Sequence, residues 1–341
     1  MQELTPENLE DYLQDRKLLA PHGTAHAELL AWGVSNMVMR VSGDFKEDIL
    51  PAQDDLVIKQ SRRQLRTQAT WYSRLDRIWR EADVMRAIEP LLPAGVVPRV
   101  LFEDRKNYVM AMSAIDKNHT VWKESLLRGN VDFAIGRQAA IYLGTLHRET
   151  ANRPDLQETL GNRTVFEELR IEPFYRTIAC RYPDLSDSLE QLIEEMLETP
   201  VALVLADFSP KNILVTATGI SLVDFETGHY GDPAFDLGFF LSHILLKAIF
   251  HAPDSQPFLQ LAETFLTDYQ DKVRETFEWD DLMRRTMGHL AGCLLARIDG
   301  TSPVDYLDER QKEVAREFGL QLFRAKITSP QKAIEMLNEW L

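Results

Sequence analysis

The stretch Asp207-Phe208-Ser209-Pro210-Lys211-Asn212, followed by Val223-Asp224-Phe225-Glu226, decides how this chain is read. Short apolar runs that read as buried strands border both: 201–206, 213–215 and 221–223. A carboxylate, then an amide, then a second carboxylate beyond a hairpin is the set that phosphoryl transfer from a metal nucleotide requires. The first carboxylate orients an attacking hydroxyl and accepts its proton. The amide oxygen and the second carboxylate hold Mg²⁺ against the phosphates. On this reading Asp207 is the catalytic base, and Asn212 and Asp224 are the metal ligands. Each residue alone fits a plainer role, as a turn or strand-end residue, but the trio is far more specific than any member. Ser209 is a candidate donor to the transferred phosphoryl group. Lys211 is another, or a solvated turn residue.

Working outward, Lys59 closes the run Leu56-Val57-Ile58-Lys59. Alternation along a strand puts it on the face of Val57, opposite Leu56 and Ile58. An ammonium there can pair with nucleotide phosphates. In the helical pattern that follows, Leu75, Ile78, Ala82, Met85 and Ile88 form an apolar stripe, and Glu81 lies at its margin. Glu81 is the expected partner of Lys59. Gly33-Val34-Ser35-Asn36 joins the first two strands; a glycine turn exposes N–H groups to phosphate oxygens, and Ser35 or Asn36 can add a side-chain donor.

The coarse pattern is a strand-rich first third and a helical remainder. Strands are expected over 28–32, 37–41, 55–60, 98–103 and 108–112. Helices are expected over about 71–88, over 133–149 and 186–198, and for most of the chain after Phe235. Two domains follow, 1–115 for nucleotide binding and 116–341 for catalysis and substrate binding. Asp232 before Pro233 reads as a helix N-cap. Asp236, inside an apolar helix, needs buried partners, for which the backbone around Asp207 serves. His147 reads as a packed or capping residue. The basic stretch of Arg62, Arg63, Arg66, Arg74, Arg77 and Arg80 reads as a solvated face or as a positive rim. Arg297 and Asp299 read as a helix stop or a substrate contact.

The chain has 341 residues, with 53 acids against 38 bases and a net charge of −15. That balance argues against general nucleic-acid binding. It suits a cationic substrate, although acidic surfaces are common. Cys180 and Cys293 show no metal or disulfide spacing, which suits a reducing cytoplasm. The acidic opening residues do not read as a secretory leader. No apolar run reaches membrane-spanning length, the nearest being 235–250, so no membrane partner is expected. The sequence assigns no oligomeric state.

The segments Leu203–Val215, Leu222–Glu226 and Gly231–Leu237 resemble the aminoglycoside phosphotransferase and choline kinase group, with methylthioribose and fructosamine kinases as relatives. The resemblance is strong over about 203–246, looser over 33–149, and says little about the last part of the chain. It implies an α+β, bilobal, protein-kinase-like fold: a small N-terminal antiparallel-sheet lobe and a large, mostly helical C-terminal lobe. It implies an ATP- and Mg²⁺-dependent kinase acting on a hydroxyl of a small molecule. Asp207 would be the base, Asn212 and Asp224 the magnesium ligands, and Lys59 with Glu81 the phosphate anchor. Backbone groups near Met110 and Met112 would meet adenine. The chain departs from the family at Leu205, where His is usual; a Leu keeps the packing and removes a polar tie. The alternative reading, a nucleotide-binding pseudokinase acting as a scaffold, rests on that departure. A protein kinase fits less well, because Gly231–Asp236 follows Asp224 too soon for a long activation loop.

Overall fold

The computed structural model describes residues 1–30, 36–49, 55–62 and 74–341. They form two compact units, Met1–Lys117 and Asn118–Leu341.

In the first unit, helix α1 (Leu9–Asp15) precedes strands β1 (Ala25–Leu29), β2 (Asn36–Gly43) and β3 (Leu56–Ser61). Helix α2 (Arg77–Ile88) and strands β4 (Val100–Asp104) and β5 (Val109–Ser113) follow. The strands form one antiparallel sheet in the order β1-β2-β3-β5-β4. Alternation sorts its faces. Met37, Met39, Val41, Leu56, Ile58, Val109 and Ala111 bury one face against Leu9, Tyr12 and Leu13 of α1. The register Val38–Lys59–Met110 places those three residues on the other face. α1 is tied to the end of β4 by Tyr12, whose hydroxyl donates to Asp104 Oδ2 at 2.9 Å. The first strand begins before the expected 28–32, whose residues 31 and 32 lie outside the described residues. As a half-exposed edge strand it is set by pairing with β2, not by its own apolarity.

In the second unit, β6 (Thr120–Val121) leads into α3 (Trp122–Leu127), α4 (Phe133–Thr150) and α5 (Pro154–Leu160). Then come α6 (Thr164–Phe166), a π-helical turn region (Glu167–Arg176), α7 (Thr177–Arg181) and α8 (Ser186–Glu198). Strands β7 (Ala202–Val204), β8 (Ile213–Thr216), β9 (Gly219–Leu222) and β10 (His229–Gly231) interrupt the helices. The chain ends with α9 (Pro233–Phe250), α10 (Gln256–Val273), α11 (Trp279–Asp299), α12 (Glu309–Arg324) and α13 (Pro330–Trp340). β7 pairs with β10, and β6-β8-β9 form a small sheet, all antiparallel. Asp232 caps α9 by accepting from Ala234 N at 3.0 Å, with Pro233 in the first turn. α9 and α11 touch backbone to backbone at Gly238: a Cβ there would meet His289 Cβ at 2.5 Å and Leu290 N at 2.7 Å. Starting at Pro233, α9 reaches 18 residues and is apolar enough to cross a membrane by length and composition, but 94% of it is buried within the protein. Both cysteines are free thiols.

Candidate active site

The Asp207 loop is shaped by its main chain. Leaving β7, the chain reaches Ala206 in a left-handed conformation, φ 56°, which an alanine adopts only when its surroundings impose it. Asp236, fully buried on α9, imposes it: its carboxylate accepts Leu205 N and Ala206 N, both at 2.7 Å. Thr227 Oγ1 donates to the Leu205 carbonyl at 3.0 Å. His147 Nε2 lies 3.2 Å from Asp236 Oδ2, and its Nδ1 lies 2.7 Å from the Tyr269 hydroxyl. The carboxylate only accepts, so Nε2 carries the proton and Nδ1 takes the Tyr269 hydrogen. Leu205 thus contributes main-chain groups and packing, while α4 supplies an imidazole on Asp236.

Asp207 is buried and meets three side chains. Asn212 Nδ2 donates to its Oδ2 at 2.9 Å and to its carbonyl at 3.0 Å. Lys211 Nζ pairs with Oδ2 at 2.9 Å. Arg170 Nη2 lies 2.8 Å from Oδ1 as an ion pair, off the hydrogen-bond direction, so Oδ1 has no aligned donor among the described residues. Oδ1 is therefore the carboxylate atom whose hydrogen-bonding capacity is left unfilled by the described residues. Sequence reasoning missed Arg170. It projects from the π-helical segment, where Pro173 hides the helical pattern, and its Nε donates to the Ala206 carbonyl at 2.7 Å.

The β8–β9 hairpin brings the two proposed cation ligands to one end. Ile213 pairs with Leu222, and Val223 N donates to the Asn212 carbonyl at 3.0 Å, so Val223 stands across from Asn212 and Asp224 is the next residue beyond it. Asp224 is half-buried with φ 68°. The Asn212 amide nitrogen is turned to Asp207, so its carbonyl oxygen is directed away from that carboxylate. An amide oxygen and a carboxylate are the hard donors Mg²⁺ takes. Ser209 Oγ, fully buried, has no hydrogen-bond partner among the described residues, and an orphaned donor of this kind fits a phosphoryl oxygen. The residues therefore fit a metal nucleotide.

In the first unit, Lys59 Nζ and Glu81 Oε1 are 2.7 Å apart and buried. Asn36 opens β2, and its Oδ1 accepts from Ser61 Oγ at 3.2 Å and from Arg77 Nη2 at 3.1 Å. Arg77 is fully buried and also holds the Arg62 carbonyl at 2.9 Å, so that part of the basic stretch is internal bracing. Gly33, Ser35, Arg63 and Arg66 lie outside the described residues. Met110 and Met112 lie in a strand paired on both sides, so their backbone groups point at β3 and β4. In the second unit, Asp299 binds Arg316 at 2.8 Å and the Tyr182 hydroxyl at 2.7 Å, a structural role. Arg297 bonds the Ser302 carbonyl at 2.6 Å.

A model of the phosphotransferase enzyme family (APH) matches residues 26–279. Similar proteins include a 4-hydroxytryptamine kinase of Psilocybe cyanescens, 28% identical over 207 residues, covering 54% of this chain and 55% of that protein. The chain spans about half the length of such relatives. Among solved structures, a choline kinase from Cryptosporidium parvum Iowa II is 13% identical with a TM-score of 0.54, covering 93% of each chain. An amicoumacin kinase in complex with AMP-PNP and Ca²⁺ is 13% identical with a TM-score of 0.53, covering 94% of each. These structural likenesses are of fold. The chain belongs to the phosphotransferase enzyme family and has its kinase-like fold, an antiparallel-sheet lobe followed by a mostly helical one.

Proposed function

We propose that the chain transfers the γ-phosphoryl group of ATP to a hydroxyl of a small molecule. The observation that carries this reading is the Asp207–Asn212 hydrogen bond at 2.9 Å, at the end of a hairpin where Val223, the residue before Asp224, donates to the Asn212 carbonyl. Asp207 Oδ1 would accept the proton of the attacking hydroxyl while Lys211, Asn212 and Arg170 hold the carboxylate still. Ser209 Oγ would donate to the moving phosphoryl group. Lys59, steadied by Glu81, would hold the nucleotide phosphates. Asn212 and Asp224 would hold Mg²⁺, which supplies charge neutralisation on the phosphates when bound. Because β5 is paired on both sides, backbone contacts with adenine would fall after Ser113.

Family membership and the AMP-PNP complex of one structural neighbour support the nucleotide. The scaffold reading rested on Leu205, and the loop it was expected to weaken is held through main-chain N–H groups. The free thiols suit a cytoplasmic setting. Incubation with γ-labelled Mg·ATP and a panel of small alcohols tests the proposal. Label on an acceptor hydroxyl supports it; nucleotide binding with transfer to no acceptor and none to water would leave the scaffold.

A further inference from the structure

Within the unit Asn118–Leu341, a cluster of cations adjoins Asp207 that nucleotide chemistry does not use. Lys247 of α9 is fully buried. Its ammonium donates to the His243 carbonyl of its own helix at 3.0 Å and lies 5.7 Å from the centre of the Tyr306 ring. No carboxylate pairs with it among the described residues. Lys123 of α3 lies 5.9 Å from the same ring centre. Arg297 of α11 directs Nη1 at Ser302 and leaves its buried Nε without an acceptor; His243 Nε2 and the Tyr306 hydroxyl are buried without partners too. These groups feel one another. Burial, then Lys123 and Arg297, pushes the Lys247 ammonium down to about 7. Burial, then Arg297, Lys247, Lys211 and Lys123, pushes His243 well down. Arg297 is also within electrostatic reach of Asp207. The acids nearby are Asp207, already paired with Arg170 and Lys211, the exposed Asp305 beside Lys123, and Glu124, which pairs with Arg128.

Several buried donors of one sign with no counter-charge are unfavourable. An anion among them would supply the missing counter-charge and an acceptor for these donors. We infer that this cluster seats an anionic group of the acceptor, so that the substrate is a small alcohol also bearing a carboxylate or a phosphate. The inference rests on the phosphotransfer reading and names the substrate class for it. The local charge is opposite to that of the whole chain, whose net charge is −15. In the reaction, the acceptor O–H breaks and its proton goes to Asp207 Oδ1. The acceptor oxygen bonds to the γ-phosphorus as the bond to the ADP oxygen breaks, giving ADP and a phosphate monoester. Lys247, Arg297, His243 and Tyr306 would hold the far, anionic end of the acceptor throughout.

The test uses the full chain with its nucleotide site filled by Mg·AMP-PNP, so that phosphate groups of the probes do not occupy that site. Calorimetry then measures binding of glycerate, glycerol 3-phosphate, glycerol and ethanolamine. The inference expects at least one of the two anions to bind, with glycerol and ethanolamine at least tenfold weaker. It also expects a tenfold or greater loss of anion affinity in Lys247→Met and in Arg297→Met. Comparison of glycerate with glycerol 3-phosphate distinguishes a carboxylate seat from a phosphate seat. Lys247→Met removes a buried charge, so its melting temperature, read alongside, separates lost binding from lost folding. Equal anion binding in the variants, no anion binding to the wild type, or preference for ethanolamine overturns the inference and leaves the phosphotransfer reading standing. Failure of the wild type to bind Mg·AMP-PNP overturns that reading, and the inference with it.

Discussion

The Arg170 guanidinium lies 2.8 Å from Asp207 Oδ1 while its Nε holds the Ala206 carbonyl at 2.7 Å. One planar fork thereby fixes both the carboxylate and the strained residue before it. The fork is itself clamped, 5.6 Å from the Phe174 ring centre and 5.4 Å from that of Phe239. A lysine cannot reproduce two divergent contacts. Arg170→Lys is expected to lower kcat by about 10–100-fold, as misplacement of a reacting group does, with KM for ATP nearly unchanged. Steady-state kinetics checks the split; a rise in KM for ATP with unchanged kcat would assign Arg170 elsewhere.

Asp224 directly follows Val223, whose N–H donates to the Asn212 carbonyl at the hairpin end. Asp224→Asn keeps the shape and removes the charge. We expect the Mg²⁺ concentration for half-maximal turnover to rise about 10–100-fold, with little change in melting temperature in the absence of metal. A magnesium titration of both proteins is the check, and an unchanged midpoint would contradict the ligand assignment.

Asp236 accepts two backbone N–H groups and faces His147, all in the buried core. In Asp236→Asn only one oxygen remains to accept, and an amide N–H₂ is set against a backbone N–H. The expected loss is about 2–4 kcal/mol of stability, seen as a lower denaturation midpoint, together with loss of activity from a loosened Ala206.

Lys247 gives a pH signature. Its ammonium titrates at 10.5 when free and at about 7 in the folded protein, chiefly through burial. Well below pH 7 both states are protonated and the folded state carries the full burial penalty. Between 7 and 10.5 the unfolded chain holds a proton that the folded protein has released, so this group makes stability climb with pH. At ~1.4 kcal/mol per decade the penalty is on the order of 5 kcal/mol. Lys247→Met should therefore melt higher than the wild type at neutral pH, with the advantage shrinking toward pH 10. Parallel melting curves across that range would show that Lys247 is not buried as a strained cation.

The parts of this protein legible in its sequence are those carried by one short segment or one strict period. Carboxylate, amide and hairpin lie in a single run from Asp207 to Asp224. Strand alternation sets the face of Lys59, and helical spacing brings Glu81 within 2.7 Å. The need of a buried carboxylate for donors located the partners of Asp236. What sequence could not supply came from residues joined only by tertiary packing. Arg170 sits in a segment whose proline and π-helical winding break the 3.6-residue period. Lys123, Lys247, Arg297 and Tyr306 come from separate elements. In the sequence, Arg297 offered a substrate contact as one of two readings, with nothing to join it to the other three.

The most direct test is phosphoryl transfer by Asp207→Asn, which preserves shape and removes the carboxylate. The account predicts that acceptor-dependent ADP release falls by at least about 10²–10⁴-fold, while Mg·ATP binding stays within a few-fold of wild type. Transfer at an undiminished rate would contradict it.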